Sequence, residues 1–321
     1  MVAKRRIGNS ELTVAPLALG GNVFDWTADE KASFAVLDAF VDAGGTMIDT
    51  ADVYSAWVPG NQGGESETVI GRWLQRDPSK RDKVVIATKV GFMAGLKPET
   101  IAPACEASLK RLGIDAIDLY YQHKDDETVP LADSLGAFDA LVTAGKIREI
   151  GLSQFTAPRL QQAMETVAQA GLHKPCCLQT WYNMVEREKL EGDLRDIALA
   201  HGLGIFPFYS LANGYLAGKY RCKDDLENSP RGLRNVQYLE GRGPRVLDAL
   251  DALSAETGQA PATISLAWTM AQPGITAALA SATSLEQLSQ LTAAMTLKLS
   301  ADQIDRLNQA SAELEPLAAV H

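Results

Sequence analysis

Hydrophobic and polar positions follow two periods along the chain. Short apolar runs stand at 14–19, 46–49, 84–89, 117–122, 147–153, 176–180, 203–208 and 275–280. Each predicts a short buried strand. Apolar residues recur at helical spacing over 29–42, 66–75, 98–112, 131–144, 157–170 and 188–200. A long irregular stretch, 210–243, follows the seventh run. Helices are predicted at 246–257 and 263–271 before the eighth run, and at 285–294 and 301–312 after it. Runs rich in Val, Ile and Leu that alternate with helices predict parallel strands covered on both faces. An open doubly wound sheet and a closed barrel share this pattern. Eight strand–helix units spaced about 30–40 residues apart favour the (β/α)8 barrel. No G-x-G-x-x-G follows the first run, which lowers the open-sheet reading.

Composition changes the picture in three respects. At 321 residues the length alone suggests about two domains. The unit count instead predicts one α/β barrel over 1–321. No Gly/Ser-rich linker divides the chain, and 60–64 (GNQGG) is only a short loop. Lys plus Arg number 30 against 40 Asp plus Glu, a formal charge of −10. That balance argues against a nucleic-acid partner and an anionic membrane surface. No run approaches the ~20 apolar residues of a membrane span. Cys105, Cys176, Cys177 and Cys222 form no C-x-x-C pair and read as small buried residues or free thiols. The basic start has no apolar run behind it, so the expectation is a reduced, cytoplasmic protein.

In a parallel barrel, chemistry collects at the C-terminal ends of the strands. Polar groups stand there in succession: Asp49, Lys89, His123, Ser153 with Gln154, Gln179, and Tyr209 with Ser210. Tyr54 follows five residues after Asp49. A lysine on a buried strand end needs a counter-charge, which Asp49 can supply. An ammonium beside Tyr54 is expected to lower the phenol pKa toward neutrality, suiting it to exchange protons. Neutral His123 can orient a carbonyl. The set suits proton transfer to a carbonyl oxygen but lacks a hydride source, which a cofactor must bring.

These residues resemble the aldo-keto reductase family over nearly the whole chain. Positions 47–54 (MIDTADVY), 64–67 (GESE) with Gly71 and Leu74, 87–89 (ATK) and 115–123 (DAIDLYYQH) are similar to its motifs. So are 145–155 (GKIREIGLSQF) and 209–219 (YSLANGYLAGK). The resemblance implies a single barrel with an N-terminal hairpin within 4–21 and an extended loop after the seventh strand. It implies reversible hydride transfer between NAD or NADP and an aldehyde, ketone or alcohol. Tyr54 becomes the general acid, tuned by Lys89 and Asp49, with His123 positioning the carbonyl. The cofactor set becomes Gly21, Asn22, Asp49, Ser153, Gln154, Gln179, Tyr209, Ser210, Leu211, Gly214, Leu216, Gly218 and Lys219, with Ser281, Thr283 and Gln287 at the adenosine end. Ser153 and Gln179 would bind the carboxamide, Tyr209 would stack on the nicotinamide, and Gln154 stands where the family usually has Asn. The segment 281–287 (SATSLEQ) departs from the pattern: Thr283 stands where a basic residue usually meets a 2′-phosphate. NAD use therefore competes with NADP use, with Arg231 and Arg234 as alternative cations.

The remaining residues read as follows. Phe24, Trp26 and Trp57 in the first two strand-end loops suggest a substrate pocket, which Lys124 could also touch. Tyr120 and Tyr121 read as packing residues, Asp52 as a loop or cap residue, and His173, His201 and His321 as solvent-facing. Glu65 and Glu67 at a helix start are expected to repel phosphate. The expected partner is a small carbonyl compound or alcohol, with a monomer or weak homo-oligomer. No metal is expected, because only one histidine reaches a strand end. The alternative function is a non-catalytic nucleotide-binding subunit, redox-sensing or regulatory.

Overall fold

The structure is a computed structural model that describes residues 2–229 and 231–313. His321 lies outside them. The chain opens with an antiparallel hairpin, β1 (Arg5–Arg6) and β2 (Thr13–Val14). Eight parallel strands follow: β3 (Leu17–Gly20), β4 (Met47–Asp49), β5 (Val85–Val90), β6 (Ile117–Gln122), β7 (Ile147–Ser153), β8 (Cys177–Trp181), β9 (Gly204–Phe208) and β10 (Ala278–Ala280). Neighbours pair in chain order, and β10 pairs back onto β3. A parallel bridge between Ile205 and Ile275 joins the last gap. The sheet is therefore a (β/α)8 barrel, as the strand–helix alternation predicts.

The helices are α1 (Glu30–Asp42), α2 (Glu65–Arg76), α3 (Pro98–Leu112), α4 (Leu131–Thr143), α5 (Ala157–Ala170) and α6 (Asp193–Ala200). After the long loop come α7 (Arg242–Thr257), α8 (Pro261–Ala271), α9 (Leu285–Ala293) and α10 (Ala301–Ser311). Local chemistry sets their ends. Asp29 caps α1 through the Ala32 N–H, and Ser300 and Gln303 form a capping box at α10.

Three boundaries differ from the sequence reading. The run 14–19 splits at Pro16, which has no N–H for a ladder. Thr13–Val14 stays in the hairpin and Leu17–Gly20 enters the barrel. The stretch 188–200 breaks into a single turn, Arg187–Lys189, and α6, because Gly192 turns the chain at φ +96°. The irregular 210–243 holds three short 3-10 segments: Ala212–Ala217, Asp224–Asn228 and Gly232–Tyr238.

The core has an inside and a shell. Met47, Ala87, Leu119, Tyr121, Cys177, Phe206 and Ala277 pack inside the barrel. Ile7 and Val14 of the hairpin join that cluster and plug its floor. Gly8 fits there only because it lacks a side chain: a Cβ would lie 2.0 Å from the Cys176 carbonyl oxygen. Outside, helix faces carrying Phe40, Trp73, Phe138 and Trp268 cover the strands. All four cysteines are free, and only Cys222 is exposed. Tyr120 and Tyr121 are fully buried, as packing residues. No helix among the described residues is long and apolar enough to cross a membrane.

Candidate active site

Side chains on a strand alternate faces, so a residue two beyond an inward one also points inward. Asp49 stands two beyond Met47, and Lys89 two beyond Ala87. His123 and Gln179 stand two beyond Tyr121 and Cys177, and Ser153 two beyond Gly151. Five strands thus present one polar layer above the apolar interior. Register holds the layer level: Asp49 pairs with Ala87, Lys89 with Tyr121, and Ser153 with Gln179. The Thr50 N–H bonds the Ala87 carbonyl at 2.8 Å, and the His123 N–H bonds the Val90 carbonyl at 2.9 Å. These bonds carry the pairing one step past the strand ends.

Lys89 Nζ is the centre of the layer. It donates to Asp49 Oδ1 at 2.5 Å, to the Thr50 carbonyl at 2.7 Å and to the Tyr54 hydroxyl at 3.0 Å. Gln179 Nε2 donates to the other Asp49 oxygen at 2.9 Å. Lys89 and Asp49 are both wholly buried. Burial disfavours the ammonium, but Asp49 and Tyr54 outweigh it and hold the Lys89 pKa above its ordinary 10.5. Lys89 therefore stays charged. Tyr54 departs from the sequence reading. Burial raises its pKa and Asp49 adds to this, so the pull of Lys89 does not bring it below the ordinary 10.0. Tyr54 is a protonated phenol at neutral pH. His123 is nearly buried, and burial with Lys89 and Lys124 pushes its pKa well below 6.5. The imidazole is neutral and its Nδ1 has no partner.

The remaining strand-end groups divide by partner. Ser153 Oγ is buried and unpartnered. Gln154, in the left-handed region at φ +57°, donates Nε2 to the His123 carbonyl at 2.9 Å. Gln154 thus braces the histidine loop. Ser210 Oγ bonds the Pro207 carbonyl at 3.0 Å. The loop that starts at Tyr209 turns sharply, with Tyr209, Ala212, Asn213, Gly214 and Gly218 all at positive φ. Lys219 is exposed on it, Leu211 is half-buried, and the side chain of Leu216 lies in the core. Leu216 is wholly buried, which differs from its expected place in the cofactor set. Asn22 and Ser281 meet side chain to side chain at 2.5 Å, next to Gly21. Gln287 Oε1 accepts from the backbone N–H and hydroxyl of Thr283 at 3.1 and 3.2 Å, closing the turn before α9.

The expected pocket aromatics separate. Phe24 is wholly buried in the shell core, so it does not line the site. A loop aromatic can turn in or out, and the sequence carries no sign of which. Trp26 and Trp57 do face one another at 5.5 Å, and Trp57 stands 6.1 Å from Tyr54. Lys124 is exposed and its Nζ lies over the Phe92 ring at 5.1 Å.

Three neighbours were not read from sequence as part of this site, and a fourth, Arg231, was read only as an alternative cation for the cofactor. Phe92 packs on His123 at 4.9 Å; it follows Lys89 by three residues, and the strand-end rule could have found it. Trp181 packs on Tyr209 at 4.5 Å. Glu186 accepts from the Trp181 indole, from Asn183 Nδ2 at 3.1 Å and from the Tyr238 hydroxyl at 2.7 Å. The same Asn183 Nδ2 bonds the Tyr209 carbonyl at 3.1 Å. Glu186 thereby ties the Gly232–Tyr238 segment to the turn that carries Tyr209. Arg231 lies over Trp26 at 4.8 Å.

Some expected roles fall elsewhere. Asp52 is a loop residue, one of the two expected readings, and burial and Glu67 raise its carboxyl pKa to about 7. Glu65 accepts the Gln62 and Gly63 N–H groups, and buried Glu67 bonds Arg111 at 2.6 Å. Both charges are thus taken up within the protein. His173 is exposed and bonds Asp139, whereas His201 is half-buried against Gln161.

Comparison with known proteins agrees with this geometry. The model of the Aldo/keto reductase family matches residues 16–312. The "Uncharacterized oxidoreductase YrpG" of Bacillus subtilis (strain 168) is 31% identical over 313 residues, 94% of this chain and 94% of that protein. The "Aldo-keto reductase str7" of Strobilurus tenacellus is 30% identical over 319 residues, 96% of this chain and 89% of that protein. A "Probable voltage-gated potassium channel subunit beta" of Oryza sativa subsp. japonica is 28% identical over 296 residues, 88% of each. Barrel, strand-end layer and family match together place this chain in the aldo/keto reductase family.

Proposed function

We propose that the protein reduces small aldehydes or ketones with a nicotinamide nucleotide, and catalyses the reverse oxidation of alcohols. One observation carries the reading. A buried ammonium is held between a carboxylate and a phenol hydroxyl, at the mouth of a barrel where neutral His123 packs on that phenol, 5.9 Å between ring centroids. Tyr54 delivers its proton to the carbonyl oxygen. The phenolate left behind is stabilised by Lys89, whose charge Asp49 maintains. His123, neutral and unpartnered at Nδ1, has a ring nitrogen free to hold the carbonyl oxygen.

The bound nucleotide supplies the hydride that no side chain can provide. Its binding is supported by three groups at the mouth: the orphaned Ser153 hydroxyl for an amide, the Tyr209 ring for stacking, and exposed Lys219 for diphosphate charge. Gly21, Asn22, Gly214, Gly218, Ser281, Thr283 and Gln287 complete the set. Thr283 offers a neutral hydroxyl, which favours use of NADH alongside NADPH.

The second reading is a nucleotide-binding subunit without turnover, and the rice relative's name, that of a channel subunit, favours a subunit role. The complete Asp49, Tyr54, Lys89 and His123 set weighs against it. The purified protein is tested with NADPH or NADH and a panel of aldehydes, following cofactor oxidation by absorbance. Carbonyl-dependent oxidation supports the reductase reading. Nucleotide binding without turnover on any aldehyde rejects it in favour of the subunit.

A further inference from the structure

Arg231 has no part in the proton chemistry above, yet it reaches the same pocket. Five rings form a continuous arc there. Phe92 meets His123 at 4.9 Å and His123 meets Tyr54 at 5.9 Å. Tyr54 meets Trp57 at 6.1 Å and Trp57 meets Trp26 at 5.5 Å. A cation sits over each end ring: Lys124 on Phe92 and Arg231 on Trp26. The proton donor is in the middle.

The two cations differ. Lys124 is exposed, whereas Arg231 is half-buried and its Nη2 is sealed from water without an acceptor. Burial bears on its charge most strongly, followed by Tyr209, the like charge of Arg234, Tyr220 and Tyr54. A desolvated guanidinium without an anion is costly to maintain. In a chain with ten more acidic than basic residues, a carboxylate partner was available in composition but is not placed there. Guanidinium stacked on indole, with a free N–H edge, matches a carboxylate or phosphate.

We propose that Arg231 receives an anionic group on the substrate. The preferred compounds are then aldehydes or ketones bearing a carboxylate or phosphate on the Trp57–Trp26 side of the carbonyl. The inference deepens the reductase reading and rests on it.

The test compares kcat/KM for two matched pairs, 4-carboxybenzaldehyde with benzaldehyde and glyceraldehyde 3-phosphate with glyceraldehyde. Wild type, Arg231→Gln and Arg231→Lys are assayed with full-length protein. Wild type is expected to favour the charged member of at least one pair by about tenfold or more. Arg231→Gln abolishes that preference through KM, and Arg231→Lys keeps part of it. Which pair responds separates carboxylate from phosphate. An equal loss on charged and neutral members, with a raised NADPH dissociation constant, overturns the proposal and assigns Arg231 to the cofactor. If no aldehyde is reduced, the reductase reading fails on its own. Succinate titration of tryptophan fluorescence then decides the anion site. Quenching in wild type but not in Arg231→Gln supports it, and identical curves, or no quenching in wild type, overturn it.

Discussion

Lys89 is a cation shut away from water, and its two oppositely disposed neighbours determine its use. Asp49 keeps it charged, and in the proposed reaction Tyr54 is the proton carrier that exploits the charge. The pH behaviour follows. Reduction needs protonated Tyr54, whose pKa stands above 10.0, and neutral His123, whose pKa stands well below 6.5. Reductive kcat/KM is therefore expected to be level from about neutrality into the mildly alkaline range. It falls only where Tyr54 ionises at high pH or His123 protonates at low pH. A pH–rate profile that declines between pH 7 and 8 contradicts this assignment. The strand-end groups were legible because each is a polar residue directly after an apolar run. The direction of the Tyr54 shift was not, because it depends on burial by loops from distant parts of the chain. Glu186 was missed as a site residue for the same reason, and Arg231 was read only as a cofactor cation: their partners Tyr238 and Trp26 are fixed only by the fold.

At the scale of elements, the strand floor is held by charge as well as by packing. Asp118 on β6 is almost wholly buried. It accepts the Ile86 N–H of β5 at 2.8 Å and binds Arg81 at 2.8 Å and Arg148 at 3.1 Å. Asp118→Ala leaves the Ile86 N–H unpaired and frees two partly exposed arginines. We expect a loss of about 2–3 kcal/mol in denaturant unfolding. A change within error means that water replaces all three bonds. The element order was readable from periodicity, since strands of two and helices of 3.6 do not mimic one another over full units. What periodicity could not reach was the split at Pro16 and the 3-10 turns of 210–243, where local backbone geometry decides and no repeat exists.

Across the whole molecule, eight units close into one ring with the hairpin at the floor and the long loop at the mouth. Closure brings six polar strand ends to one mouth, which no single element achieves. The net charge of −10 is compatible with this because the site keeps local cations, Lys89, Lys124, Lys219 and Arg231. The central claim is that the Lys89-backed phenol supplies the proton. It is tested by single-turnover reduction of 4-carboxybenzaldehyde with saturating NADPH, comparing wild type with Tyr54→Phe. The variant is matched to wild type in NADPH dissociation constant and thermal unfolding. The rate of cofactor oxidation is expected to fall by a factor of about 10² to 10⁴. A Tyr54→Phe rate within about threefold of wild type contradicts the assignment of Tyr54 as the acid.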